Sequence, residues 1–266
     1  TTEISDLAAE LGIPLSETDC EEYQTLASAA IEGSDSIRHA HSFDPGLEPD
    51  EYTGRSSYRP AVSEDPLNAW VRKTQIRTQS DGPLAGQTVG LKDSIALAGV
   101  ELTLGSSLME GFVPTIDATA VHRLLDAGAE IGGKLNMESF AWSGTGGMSD
   151  HGPVTNPHSE EHLAGGSSSG SGAAPVAGDC DVALGTDQAG SIRIPSSWCG
   201  LVGIKPAHGL VPYTGVVPLE RTIDHLGPMA PTVETVAQTL EVIAGTDTTD
   251  GIKLDTRQPD GVEADS

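Results

Sequence analysis

The sequence predicts an α/β layered domain, and two observations predict it. Segments with strand-like and helix-like patterns alternate through the middle of the chain. Charge is also distributed unevenly. Residues 1–65 and 240–266 are rich in Asp and Glu, whereas residues 164–215 hold only Asp179, Asp181 and Asp187 as acids. A charge-poor middle of Gly, Ser, Ala and Val between charged ends reads as a buried central layer wrapped by solvated elements.

The elements follow in chain order. Ile4, Leu7, Ala8 and Leu11 recur at helical spacing until Gly12 and Pro14 end the run. Ser16 is placed to cap a second helix, with Tyr23, Leu26, Ala27, Ala30 and Ile31 on one face. Residues 42–66 are polar and carry prolines, which predicts a surface loop, and residues 67–72 open the next ordered element. Residues 84–93 read as a turn and a short buried strand. Residues 118–127 form an apolar-periodic helix (Ala118, Val121, Leu124, Leu125) closed by Gly128. Residues 129–134 and 182–187 read as strands, 200–205 as a short buried segment, and 173–178 as helix-compatible apart from Pro175. Residues 233–244 make the last helix (Val236, Leu240, Ile243), ending at Gly245. The expected organisation is therefore an N-terminal helical segment and loop over 1–65, a core over 66–245, and an acidic tail or truncated end over 246–266.

Composition narrows the function classes. Among 266 residues, 37% are apolar and only 4% aromatic, so the core must be built from Ala, Val, Leu and Ile. The 39 acids and 14 bases give a net charge of −25, which argues against a nucleic-acid partner, since phosphate binding needs clustered Lys and Arg. Strong acid excess with only five lysines resembles proteins of salt-accumulating archaea, where salt screens self-repulsion. With no signal-peptide pattern and no apolar run of spanning length, the reading is a soluble, cytoplasmic protein without a membrane partner. Cys20, Cys180 and Cys199 are too few and too scattered for a disulfide framework or a zinc site, and read as buried free thiols.

Three segments carry chemistry. One is Gly90, Leu91, Lys92 and Asp93, with a lysine in an apolar strand context. The second is the Gly/Ser run 165–172, containing Ser167 and Ser168. The third is 185–195, containing Asp187, Gln188, Ala189, Gly190, Ser191, Arg193 and Pro195. Each has a structural reading: a strand-end lysine, a flexible linker, an ion pair of Asp187 with Arg193, a turn at Pro195. The linker reading conflicts with the ordered apolar flanks, and no phosphate-loop pattern is present.

Together the segments resemble the amidase-signature family of serine hydrolases, over about residues 66–244 and most specifically over 165–172 and 185–205. The spacing of Lys92, Ser167 and Ser191 agrees with that family. The resemblance implies a central mixed β-sheet covered by helices on both faces. It implies Ser191 as nucleophile, Ser167 as proton bridge after a cis Gly166–Ser167 peptide, and Lys92 as base. It also implies an oxyanion hole from the N–H groups of Gln188, Ala189, Gly190 and Ser191, without metal or cofactor. Serine needs a base to attack an amide, no histidine falls in these segments, and a lysine serves once burial has made it neutral. Ala189 stands where many relatives carry glycine, so the hole requires a negative φ there. Asp187 and Arg193 read as an internal ion pair fixing the nucleophile loop, with Ser168 in support. His151, His158 and His162 are close in sequence but sit in polar context, so they read as no metal site, and His208 and His225 read as structural or pocket-lining.

Residues 65–70, 209–215 and 218–229 resemble the stand-alone amidases that accompany nitrile hydratases, which implies a simple aliphatic or aromatic monocarboxamide as substrate. The glutaminase component of a tRNA-dependent amidotransferase shares the signature and is the alternative enzyme. Family members are much longer than 266 residues, so the resemblance implies a fold incomplete at the C-terminus. A truncated or split amidase is then a third reading, and a homodimer or a complementing C-terminal half is the expected partner.

Overall fold

The computed structural model describes residues 2–39 and 54–247. The chain divides into two compact units, Thr1–Gly46 and Leu47–Ser266. The predicted loop over 42–66 lies outside the described residues as far as residue 53, and the tail does so from residue 248.

The first unit holds helices α1 (Thr2–Glu10) and α2 (Glu17–His39). The Asp19 N–H donates to Ser16 Oγ at 3.2 Å while the Ser16 N–H donates to Asp19 Oδ2 at 2.9 Å, a reciprocal cap that starts α2 where the sequence places it. Ala8 and Cys20 are buried. Tyr23, Leu26 and Ile31 of the predicted apolar face are exposed.

The second unit is built on a six-stranded sheet. Its strands are β1 (Trp70–Ile76), β2 (Thr88–Lys92), β3 (Glu130–Leu135), β6 (Val182–Asp187), β7 (Val202–Gly203) and β8 (His225–Ala230), in the order β1-β3-β2-β6-β8-β7. The β3, β2 and β6 strands are parallel, and β1, β8 and β7 join antiparallel. The sheet is therefore mixed. A separate hairpin, β4 (Thr155–Asn156) with β5 (Ser159–Leu163), occupies the polar stretch around His158 and His162 that the sequence suggests is a loop.

Side chains alternate across a strand, and β6 shows the consequence. Val182 and Leu184 enter one core with Val89 and Leu91 of β2 and with helices α3 (Thr119–Asp126) and α6 (Val233–Ile243). Ala183 enters the other, with Ala173, Ala174 and Cys199 from helices α4 (Ser169–Ala177) and α5 (Arg193–Cys199). Helices thus cover both faces.

Two helices depart from expectation. The second half of the Gly/Ser run, residues 169–172, forms the start of α4, while residues 165–168 precede the helix. Packing overrides weak propensity here: a Cβ on Gly170 would lie 2.2 Å from the Ala69 carbonyl oxygen, so only glycine admits this approach. Pro195 does not set a turn. It lies in the first turn of α5, where a missing N–H leaves no intrahelical bond unmade.

Candidate active site

The three segments converge where β2, β6 and α4 meet. Lys92 is the last residue of β2 and is fully buried. Its Nζ lies 2.7 Å from Ser167 Oγ and 2.8 Å from Thr186 Oγ1. Burial pushes the amine down to about 7, against the pull of the Asp187, Glu138 and Asp224 carboxylates, which favour the cation. A neutral amine in this position has one lone pair and two N–H bonds. Accepting from Ser167 Oγ while donating to Thr186 Oγ1 engages the lone pair and one of the two N–H bonds.

Ser167 is fully buried and follows a cis Gly166–Ser167 peptide. Its carbonyl accepts from the Glu138 N–H at 3.1 Å. Glu138 is itself buried. Its carboxylate accepts from Thr145 Oγ1 (2.9 Å) and from the N–H groups of Gly146, Gly147 (3.0 Å) and Met148 (2.8 Å), closing a loop beside Gly166. Ser168 holds the other flank. Its N–H donates to the Ser191 carbonyl at 3.3 Å, and its Oγ bonds both the carbonyl and the N–H of Thr186.

Ser191 is 8% exposed, on the turn between β6 and α5. Among the described residues no hydrogen bond joins Ser191 Oγ to Ser167 Oγ; Ser191 is tied to the segment through its carbonyl, which accepts from the Ser168 N–H. Asp187, the last residue of β6, organises this turn. Its fully buried carboxylate accepts from the N–H groups of Gly190 (2.9 Å), Ile192 (3.1 Å) and Arg193 (3.3 Å), and from the Arg193 guanidinium at 2.9 and 3.0 Å. Burial alone would raise the Asp187 carboxyl, but the Arg193 and backbone donors outweigh it and hold it below the usual range. Gly190 has φ 141°, and a Cβ there would press on Ile194 at 2.9 Å, so the turn needs glycine.

The four predicted oxyanion donors are not equivalent. The Gly190 N–H is engaged by Asp187. No acceptor is found among the described residues for the N–H groups of Gln188, Ala189 and Ser191. Among the described residues the non-glycine positions with positive φ are Asn68, Leu104, Phe140 and Ala141, so Ala189 meets the condition set by its methyl group.

Sequence reasoning overlooked several neighbours. Thr186 and Glu138 are two of them. A third is Asp224, which is buried and accepts from Gln188 Nε2 at 2.6 Å. A fourth is the fully buried pair Lys134 and Asp93, with Nζ 3.1 Å from Oδ1, where desolvation lowers the lysine. The readable signal was a charge inside an apolar stretch, such as Lys134 within β3 or Asp224 just before β8. His225 Nδ1 lies 2.7 Å from the Ile223 carbonyl and its Nε2 3.1 Å from Lys205 Nζ; His208 packs edge-on against its ring. His158 Nε2 lies 2.9 Å from the Cys199 carbonyl and His162 bonds Ser159, so the two imidazoles of the hairpin are turned to different partners. Among the described residues no three His, Cys, Asp or Glu side chains converge as metal ligands. No described helix is long and apolar enough to cross a membrane, and the three thiols are free and buried.

The amidase family profile matches residues 59–265. The chain belongs to the amidase family. An enantioselective amidase of Rhodococcus rhodochrous is 51% identical over 208 residues, covering 77% of this chain and 39% of that protein. A glutamyl-tRNA(Gln) amidotransferase subunit from Natronomonas pharaonis is 49% identical over 192 residues, covering 72% and 45%. Among solved structures, the corresponding protein of Thermotoga maritima superposes with a TM-score of 0.66 at 36% identity, covering 70% of this chain and 42% of that one. A peptide amidase in complex with chymostatin gives 0.60 at 40% identity, covering 64% and 36%. The chain therefore spans less than half the length of these relatives. The described residues share the mixed α/β fold of these relatives.

Proposed function

We propose that the chain hydrolyses a simple monocarboxylic acid amide to carboxylate and ammonia through an acyl-enzyme on Ser191. The observation that carries this is the buried contact of Lys92 Nζ with Ser167 Oγ at 2.7 Å, with the amine lowered to about 7. Near that pH a substantial fraction of the lysine is neutral and can act as base.

In the proposed sequence, Ser191 Oγ attacks the amide carbon as its proton passes to Ser167 Oγ. The Ser167 proton passes to Lys92 Nζ, which becomes an ammonium. The negative charge on the carbonyl oxygen meets the N–H groups of Gln188, Ala189 and Ser191. As the C–N bond breaks, the nitrogen takes a proton back through Ser167 and leaves as ammonia. Water then attacks the ester as its proton passes through Ser167 to Lys92, the acyl C–O bond breaks as that proton returns to Ser191 Oγ, and the acid departs and ionises to the carboxylate. Asp187, Arg193 and Ser168 hold the turn in place, and no cofactor enters.

A second reading has a specific observation behind it. Relatives named as glutamyl-tRNA(Gln) amidotransferase subunits match at 49% and 47% in Natronomonas pharaonis and Haloarcula marismortui. A chain of that kind would release ammonia from glutamine and work with partner chains. The net charge of −25 also fits a cytoplasm rich in salt, where ions screen self-repulsion.

The test is ammonia release from acetamide, propionamide, benzamide and glutamine, in low and multimolar KCl, with Ser191→Ala as control. Serine-dependent turnover of the simple amides at high salt supports the proposal. Turnover of glutamine alone overturns it in favour of the second reading. A folded chain inactive on all four would count against both readings for this chain alone.

A further inference from the structure

We propose that Asp224 is a positioning residue: through the side-chain amide of Gln188 it holds the first donor of the oxyanion site and ties it to the loop over 217–224. This deepens the amidase reading above and rests on it.

The nucleophile turn needs an anchor at each end. Asp187 grips its downstream half, taking the N–H groups of Gly190, Ile192 and Arg193. None of those bonds reaches Gln188 or Ala189, the two residues that open the turn. Gln188 is held instead by its side chain. Its Nε2 donates to Asp224 Oδ1 at 2.6 Å and lies 3.5 Å from the Tyr213 hydroxyl.

Two features mark the Asp224 bond as dominant. It is short and charge-assisted, the stronger class of hydrogen bond, and Asp224 is only 5% exposed. Gln188 Oε1, by contrast, is buried without a donor among the described residues. A side chain free to choose would satisfy that oxygen, so the amide is oriented by Asp224 rather than by its own needs.

Asp224 also reaches outward. Its carboxylate accepts from the N–H of Leu219 (3.1 Å) and from that of Glu220 (3.2 Å). Between these residues the loop exposes Leu219 and Ile223. One buried carboxylate therefore joins a loop with apolar side chains at the surface to the residue bearing the first oxyanion N–H. Displacing that loop moves the donor. Asp224 immediately precedes β8, whose pairing with β6 aligns His225 with Asp187, so the link extends the ladder by one side-chain bond.

The test uses the full chain with Asp224→Ala, Gln188→Met and the double variant. A boronic acid that forms a tetrahedral adduct on Ser191 reports the oxyanion site, and binding of the amide to the Ser191→Ala background reports the ground state. Each single change is expected to weaken the boronic acid about 10–100-fold, to lower kcat with KM unchanged, and to leave amide binding intact. The double variant should be no worse than either single one. Equal loss for both ligands, additive losses, or no loss would overturn the proposal. If the parent chain neither binds the boronic acid nor reacts at Ser191 with a fluorophosphonate, the amidase reading is what has failed. Amide hydrogen exchange then decides the positioning role. Exchange accelerated by about tenfold at residues 188–191 and 219–220 alone, in Asp224→Ala, supports it, and uniform or absent change overturns it.

Discussion

The two faces of the sheet are packed by opposite rules. On one, α3 and α6 lay Val121, Leu124, Leu125, Val236 and Ile243 against Val89, Leu91, Val182 and Leu184. On the other, α4 presents Ser169, Gly170, Ser171, Gly172, Ala173 and Ala174, all buried, against Ala69 and Ala183. The first face removes large apolar area from water, at about 25 cal/mol per Å². The second gains little in that way. What it gains is distance: its backbone comes close enough for the Gly170 N–H to reach the Asn136 carbonyl at 2.8 Å and for Ser171 Oγ to reach the Leu184 carbonyl at 3.0 Å. Alanine methyls, hydroxyls and backbone amides, rather than long aliphatic side chains, make the α4 contact on that side, and the buried lysine ends on it. One face supplies stability, and the other gives up some of it to hold polar groups in place.

The largest test of this division is Lys92→Met. Loss of the proposed base is expected to lower the rate of Ser191 modification by a fluorophosphonate about 10⁴-fold, or roughly 5.5 kcal/mol. In the parent protein that rate should rise with pH through about 7 as Lys92 loses its proton. The variant's stability should move opposite to its rate. The unfolded lysine titrates near its ordinary 10.5 and the folded one near 7. Between those values the unfolded state holds the extra proton, so parent stability rises with pH across the window and is reduced below it. Lys92→Met removes that penalty, and its Tm should exceed the parent's more at pH 6 than at pH 10. An equal or lower Tm at pH 6 would mean that the site face does not trade stability for chemistry.

Legibility in the sequence follows the same division. The β2, β3, β6, α3 and α6 elements were readable because large apolar residues recur with a clear period, as Val121, Leu124 and Leu125 do. On the small-residue face the pattern vanishes. The first half of α4 reads as a Gly/Ser loop, since tertiary contact rather than propensity makes it helical. The α5 helix was hidden by Pro195, although a first-turn proline is compatible with a helix. The β8 strand was hidden by Pro228, a residue that argues against an inner strand. Its carbonyl accepts from the Ile204 N–H, so its nitrogen also faces the short β7 side and the ladder to β6 is undisturbed. The candidates Lys92, Ser167 and Ser191 could be named because motif spacing, unlike periodicity, does not depend on side-chain size. Their supports were not, because Thr186, Glu138 and Asp224 reach the site through folding alone.

A matched pair of core substitutions comes next in size. Leu124→Ala on the aliphatic face deletes a fully buried side chain, and should cost about 2–5 kcal/mol with the pH profile of Ser191 labelling unchanged. Gly170→Ala adds one methyl 2.2 Å from a backbone oxygen. It should cost about 1–3 kcal/mol by overpacking and also slow labelling, because α4 carries Ser168 at its N-cap. Urea unfolding and labelling rates measured together separate the two. If Gly170→Ala lost stability alone, the small residues would be filler rather than a device for close approach.

The smallest effect belongs to the ion pair that the sequence makes most visible. The Arg193 side chain is 52% exposed while Asp187 is fully buried, and the carboxylate keeps three backbone donors without it. An exposed cation facing a satisfied anion is screened by water and contributes about 0.2–1 kcal/mol. Arg193→Gln should therefore lower stability by that amount in dilute buffer and by less in multimolar KCl, where the screening length shrinks to a few ångströms. The Asp187 carboxyl, held low by these donors, contributes stability above the ordinary carboxylate range that is lost as pH falls through its folded value. Arg193→Gln should bring that loss to a higher pH. A penalty of several kcal/mol that persists in high salt would show that the guanidinium, not the backbone, holds the nucleophile turn.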